Sequence, residues 1–125
     1  MTKVALLTVD EAVRIDLQRL DQLIRELGEA TAVQVIGAAL EQLALALTRT
    51  LTATEKGDLA AVADHADQLS RLAWQVGLVT LAGVAVDVGS CAERQDRTGL
   101  AATASRLRRT GNRSLTQIWE TPESG

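Results

Sequence analysis

GDLAAVADHADQLSRLAWQVGLVTLAGVAVDVGSCAER, residues 57–94, decides the fold. It opens on Gly57-Asp58, a residue that ends helices followed by one that caps them. Beyond it, Leu59, Val62, Ala66, Leu69, Ala73 and Val76 recur every three or four positions, which lines them up along one side of a helix. Gly77 interrupts that helix, and Leu78, Leu81, Ala85, Val88 and Ala92 resume the spacing in a second one ending near Arg94. Opposite the first apolar stripe, Ala63, Asp67, Ser70, Arg71 and Trp74 share a face that the spacing predicts to meet water. A tryptophan on such a face, beside an aspartate and an arginine, is the feature that points to function.

Outward from this core the same pattern repeats. Leu17, Leu20, Ile24 and Leu27 form a shorter helix, with Asp16 as its N-cap and Gly28 just past its end. Val33, Ile36, Leu40, Leu43, Leu47 and Leu51 trace a long stripe that ends near Lys56-Gly57. Thr31, Thr48, Thr50, Thr52 and Thr54 are poor helix formers, so this helix is expected to fray or stop a turn early. The last helix is expected to begin at Thr98 as N-cap and to carry Leu100, Ala104, Leu107, Leu115 and Ile118, with a kink or break at Gly111-Asn112. Gly83 and Gly89 are expected to let helices approach closely. No strand-length alternation with turn chemistry occurs, and the short connections favour antiparallel neighbours. The expected fold class is all-α: an antiparallel up-and-down four-helix bundle with an additional N-terminal helix. Residues 1–15 read as an N-terminal arm or short helix, 16–120 as the bundle, and 121–125, which include the single proline, as a disordered tail.

Composition narrows the function classes. The 125 residues suit one domain with one core. Hydrophobic residues make up 46% of the chain, yet there is no Phe or Tyr and the only Trp are Trp74 and Trp119, so the core must be aliphatic. A net charge of −3 argues against a nucleic-acid or anionic-membrane partner. The run from Arg94 to Arg113 is locally basic, six arginines against Asp96. Without interleaved aromatics it reads as a solvated face rather than a nucleic-acid site, with an acidic or phosphorylated partner surface as the alternative. Lys3 before Val4-Ala5-Leu6-Leu7 is too little for a signal peptide, and no run reaches the length of a membrane span, so a cytoplasmic protein is expected. The lone Cys91 excludes an internal disulfide and reads as a buried thiol in a reducing compartment. Phosphate-binding and dinucleotide loops, a Ser-His-Asp set and a Cys/His cluster are all missing, so no cofactor and no metal are expected.

Gly57-Asp58 followed by Ala66, Leu69, Ala73, Val76, Gly77 and Leu81 resembles the histidine-containing phosphotransfer (Hpt) domain of bacterial two-component phosphorelays. In that family the stretch runs Gly-Asp, then Ala-His-x-Leu-Lys-Gly, then a Leu-Gly turn. Leu20 to Gly28 is similar to its first short helix and Glu93 to Leu107 to its helix-loop-helix end, so the likeness spans about Asp16 to Trp119. It implies a four-helix bundle in signal transduction whose third helix docks receiver domains of response regulators, or histidine kinases.

The departures from the pattern fall at its centre. The family's phosphorylated histidine falls on Asp67, its phosphate-holding lysine on Ser70, and the next glycine on Arg71. The chain's one histidine, His65, comes two residues early, and two residues turn a side chain by about 200° around a helix. His65 should therefore leave toward the edge of the apolar stripe, as a packing histidine or, alternatively, as a displaced phosphoryl acceptor. Asp67 lacks the clustered acids that a Mg²⁺-dependent aspartyl phosphate needs. It stands either as a fixed charge imitating the phospho-histidine or as an ordinary solvated residue. Trp74 either anchors a partner or folds over a neighbouring helix. The expected activity is binding through Asp67, Ser70, Arg71 and Trp74 without phosphate transfer. The alternatives are an active carrier using His65 and a structural helical oligomerisation module.

Overall fold

The computed structural model describes residues 13–120, and the side chains of residues 13–118. The chain is all-α over these residues: α1 (Leu17–Leu27), α2 (Glu29–Lys56), α3 (Leu59–Gln75), α4 (Val79–Glu93) and α5 (Arg97–Glu120). The expected arm or short helix at 1–15 and the tail at 121–125 lie almost wholly outside the described residues.

Caps set most of the boundaries. Asp16 accepts from the Arg19 amide at 3.1 Å to open α1, and Asp58 accepts from the Ala61 amide at 3.1 Å to open α3. Gly57 ends α2 in the left-handed conformation, its amide reaching back to the Ala53 and Thr54 carbonyls. α5 opens two residues earlier than expected: Asp96, not Thr98, accepts from the Gly99 amide at 2.9 Å.

Three further expectations are corrected. α2 does not fray; it runs unbroken to Lys56. The hydroxyls of Thr48, Thr50 and Thr54 each donate to the carbonyl four residues back, at 2.7–3.0 Å, so they satisfy themselves without leaving the helix. α5 passes through Gly111-Asn112 as continuous helix. There Gly111 is a packing device: a β-carbon on it would stand 2.5 Å from a methyl of Leu47. Of the two α4 glycines, Gly89 does face α3, with Ala66 at 3.5 Å from where its β-carbon would be, whereas Gly83 looks into open space.

α2 packs on α3, α3 on α4, α4 on α5 and α5 back on α2, while α1 packs on α2. The core between them is aliphatic, as composition required. Leu43, Leu69, Leu78, Leu81, Leu107, Val62 and Val88 are its largest fully buried side chains. The pair Arg106–Asp87, 3.9 Å apart, joins α5 to α4 across their outer surface.

Residues 13–16 run extended against the α3–α4 turn. The Asp16 amide donates to the Gly77 carbonyl at 2.7 Å, the Val79 amide to the Arg14 carbonyl at 3.1 Å, and Ile15 makes an isolated bridge with Leu78. The Arg19 side chain adds a bond to the Gln75 carbonyl at 3.1 Å, a cation at the carbonyl end of α3. By length and composition α2 is long and apolar enough to cross a membrane, contrary to the expectation that no segment is. Charges are few along it, and a core helix meets the same two criteria.

Candidate functional site

α3 presents two different faces outside the core, and its neighbours define both. On one side Asp67, Arg71 and Trp74 follow at helical spacing. Asp67 and Arg71 form an exposed i,i+4 pair with 3.3 Å between charged atoms. An exposed pair of this kind contributes roughly 0.3–0.5 kcal/mol, so it orients side chains more than it stabilises the helix. Trp74 is 61% exposed. That exposure leaves most of the indole in solvent and available to a partner. These three residues make one continuous strip: an anion, a cation and a large amphipathic ring, of which the arginine and the tryptophan belong to the side-chain types that dominate interface energetics.

Ser70 departs from the expected site. It is half-buried on the edge of this strip, and its hydroxyl donates to the Ala82 carbonyl of α4 at 3.2 Å. Ala63 is likewise half-buried against the core. The α4-facing border of the strip is therefore an internal seam, and Ser70 helps lock α3 to α4 instead of offering a free hydroxyl.

His65 leaves α3 on the far side, toward α2. It is half-buried and lines an open cleft of about 250 Å³ with Ala61 and Asp58 of the α2–α3 corner. The opposite wall is a stripe of α2: Thr48, Arg49, Thr52, Ala53 and Lys56. Asp58 is engaged as the α3 cap, which leaves Arg49 and Lys56 as the cleft's outward cations. Sequence reading missed this wall. Its signal was there in Arg49, Thr52 and Lys56 at i, i+3 and i+7, but which helix faces that stripe depends on the pairing of α2 with α3.

Among the described residues the other candidate chemistry is accounted for. No group of three or more His, Cys, Asp or Glu suited to a metal exists among the described residues. Cys91 is buried as a free thiol, with the Arg94 guanidinium 3.7 Å from its sulfur. The basic run is laced with local partners: Arg94 to the Ser90 hydroxyl at 2.7 Å, Arg109 to the Ser105 hydroxyl at 3.1 Å, and Arg106 to Asp87. That is how a solvated helix face looks. No protein-family model, no curated protein and no solved structure matches the chain.

Proposed function

We propose that the chain is an Hpt-like adaptor of a bacterial two-component phosphorelay, working in the cytoplasm. On this reading α2–α5 form an antiparallel up-and-down four-helix bundle, with α1 as the additional N-terminal helix. It docks a receiver domain or a histidine kinase through the outer strip of α3 and does not itself carry phosphate. The observation that supports this best is the strip's composition at the position where the resemblance expects a phospho-acceptor. Asp67 points outward there, paired with Arg71, and Trp74 stands open two turns along the same face. A carboxylate can occupy the place of the acceptor but offers less charge and fewer oxygens than a phosphoryl group. It would hold a docking partner without receiving the group. Ser70, bonded to α4, is not among the contact residues of this reading.

One observation favours a second reading. His65 shares its cleft with Arg49 and Lys56, and cations beside an imidazole suit a phosphoryl group in transfer. Incubating the protein with receiver domains phosphorylated at their aspartate separates the two. The adaptor binds them unlabelled, and Trp74→Ala weakens that binding by about 30-fold, the 2 kcal/mol of an anchor residue. Acid-labile phosphate on the protein, lost in His65→Ala, would establish the carrier instead. Failure to bind any receiver or kinase would end both readings.

A further inference from the structure

Thr48, Thr50, Thr52 and Thr54 alternate along the second half of α2. Three of them turn their hydroxyls back onto the carbonyl four residues earlier. Thr52 does not: it is exposed, and no hydrogen bond engages its hydroxyl among the described residues. It stands in the α2 wall of the cleft that faces His65. Arg49 lies one turn before it and Lys56 one turn after, about 10 Å apart along the axis, so both long side chains can converge on it. Neither cation has a hydrogen bond or ion pair among the described residues, whereas Arg25, Arg71 and Arg106 each lie against a carboxylate.

The rest of the lining leaves these groups a space to act on. Its two inner residues are alanines, Ala53 buried and Ala61 half-buried, and a longer side chain at either would fill the cleft. His65 stands on the facing wall with one N–H even when neutral. Asp58 is the one acid in the lining, and its carboxylate is bonded to the Ala61 amide. Glu55 and Asp64, close in sequence, are not in the lining. The amide end of α3 and the carbonyl end of α2 meet at this corner and oppose each other, so side chains set the local field. Two free cations, a hydroxyl and an imidazole amount to an excess of donors. A carboxylate would be matched by the Arg49 fork alone, whereas a phosphoryl dianion has the oxygens and the charge to use both cations and the hydroxyl. The volume of about 250 Å³ lies below the roughly 300–1,000 Å³ of drug-sized sites. It has room for a phosphoryl group and a few carbons, not for a nucleotide.

We infer that the α2–α3 cleft binds small phosphate monoesters, held by Arg49, Lys56 and Thr52 with His65 opposite. This depends neither on the docking strip on the other side of α3 nor on any transfer of phosphate to His65. Titrating the full chain with O-phosphoserine, followed by amide NMR, tests it. The expected result is saturable shifts over residues 49–56 and 61–65 with a Kd on the order of 1 mM or tighter, and none with serine. Arg49→Ala and Lys56→Ala should each weaken binding roughly fivefold, and Thr52→Val about threefold. Arg49→Lys should recover only part of the loss, since it keeps the charge without the fork. Arg108→Ala, on exposed α5 surface, should change nothing. A short end-blocked peptide carrying one phosphoserine identifies the source: tighter binding than the free amino acid marks a phosphorylated protein segment, equal or weaker binding a free metabolite. Arg49, Thr52 and Lys56 are exposed, so circular dichroism of every variant should match the parent. No saturable shift by about 10 mM, shifts confined to the run from Arg94 to Arg113, or binding indifferent to the double variant Arg49→Ala, Lys56→Ala overturns the inference.

Discussion

Gly77 carries more structural demand than the other described glycines. It closes α3 at a φ of +78°, and a β-carbon there would stand 2.8 Å from the Asp16 carbonyl oxygen, which is backbone and cannot swing away. Gly77→Ala therefore meets a left-handed strain of 1–2 kcal/mol and a clash besides. Thermal or urea unfolding should show a loss of at least about 2 kcal/mol. Gly83 gives the opposite sign: mid-helix, exposed and with nothing near its missing β-carbon. Gly83→Ala should raise stability by up to about 1 kcal/mol through helix propensity alone. Thr110 offers a third test. Its hydroxyl is buried and has no hydrogen-bond partner among the described residues, unlike that of Thr50, which reaches the Ala46 carbonyl at 2.7 Å. Thr110→Val removes the unsatisfied group, and unfolding should report a gain of about 1 kcal/mol.

Helix phase was legible from spacing because 3.6 residues per turn ties sequence position to direction, whatever the neighbours do. That is why the outward Trp74 and Asp67, the buried Leu69 and the separate direction of His65 could all be read from the chain. What spacing does not contain is which helix stands opposite. Ser70 has a solvent phase on α3 but meets the Ala82 carbonyl of α4, and Arg49 and Lys56 acquire meaning only when α2 closes the cleft over His65. Gly111 read as a helix breaker for the same reason: its role is the space it leaves for Leu47, a residue 64 positions away. The threonines of α2 misled differently. Intrinsic propensity is a weak prior, and Thr50, fully buried with its hydroxyl satisfied, shows packing overriding it. Local signals held at the caps of α1 and α3, though at α5 Asp96 takes the place expected of Thr98. Asp58 does at the start of α3 what its position after Gly57 suggested, and Asp58→Ala should lower the unfolding free energy by about 1 kcal/mol.

For the molecule as a whole, the proposed adaptor role turns on a geometric claim that can be tested by building in the missing chemistry. If the strip around Asp67 docks a receiver as the resemblance implies, the receiver's phosphorylated carboxyl comes within reach of position 67. The side chain there is exposed and paired with Arg71, so a histidine should be accommodated without disturbing the core. In Asp67→His the imidazole nitrogen attacks phosphorus and the receiver's carboxylate leaves, so a phosphoryl group moves with its charge and no metal or oxidant is consumed. Acid-labile phosphate should then appear on Asp67→His and not on the parent protein, and adding Trp74→Ala should suppress it by weakening docking. His65→Ala in the same background should make no difference, since His65 faces α2 from the other side of α3. A variant that binds the receiver as tightly as the parent yet stays unlabelled would place the docked carboxyl elsewhere. The likeness would then extend to the helices but not to the site, and the fixed charge at Asp67 would have no acceptor position to occupy.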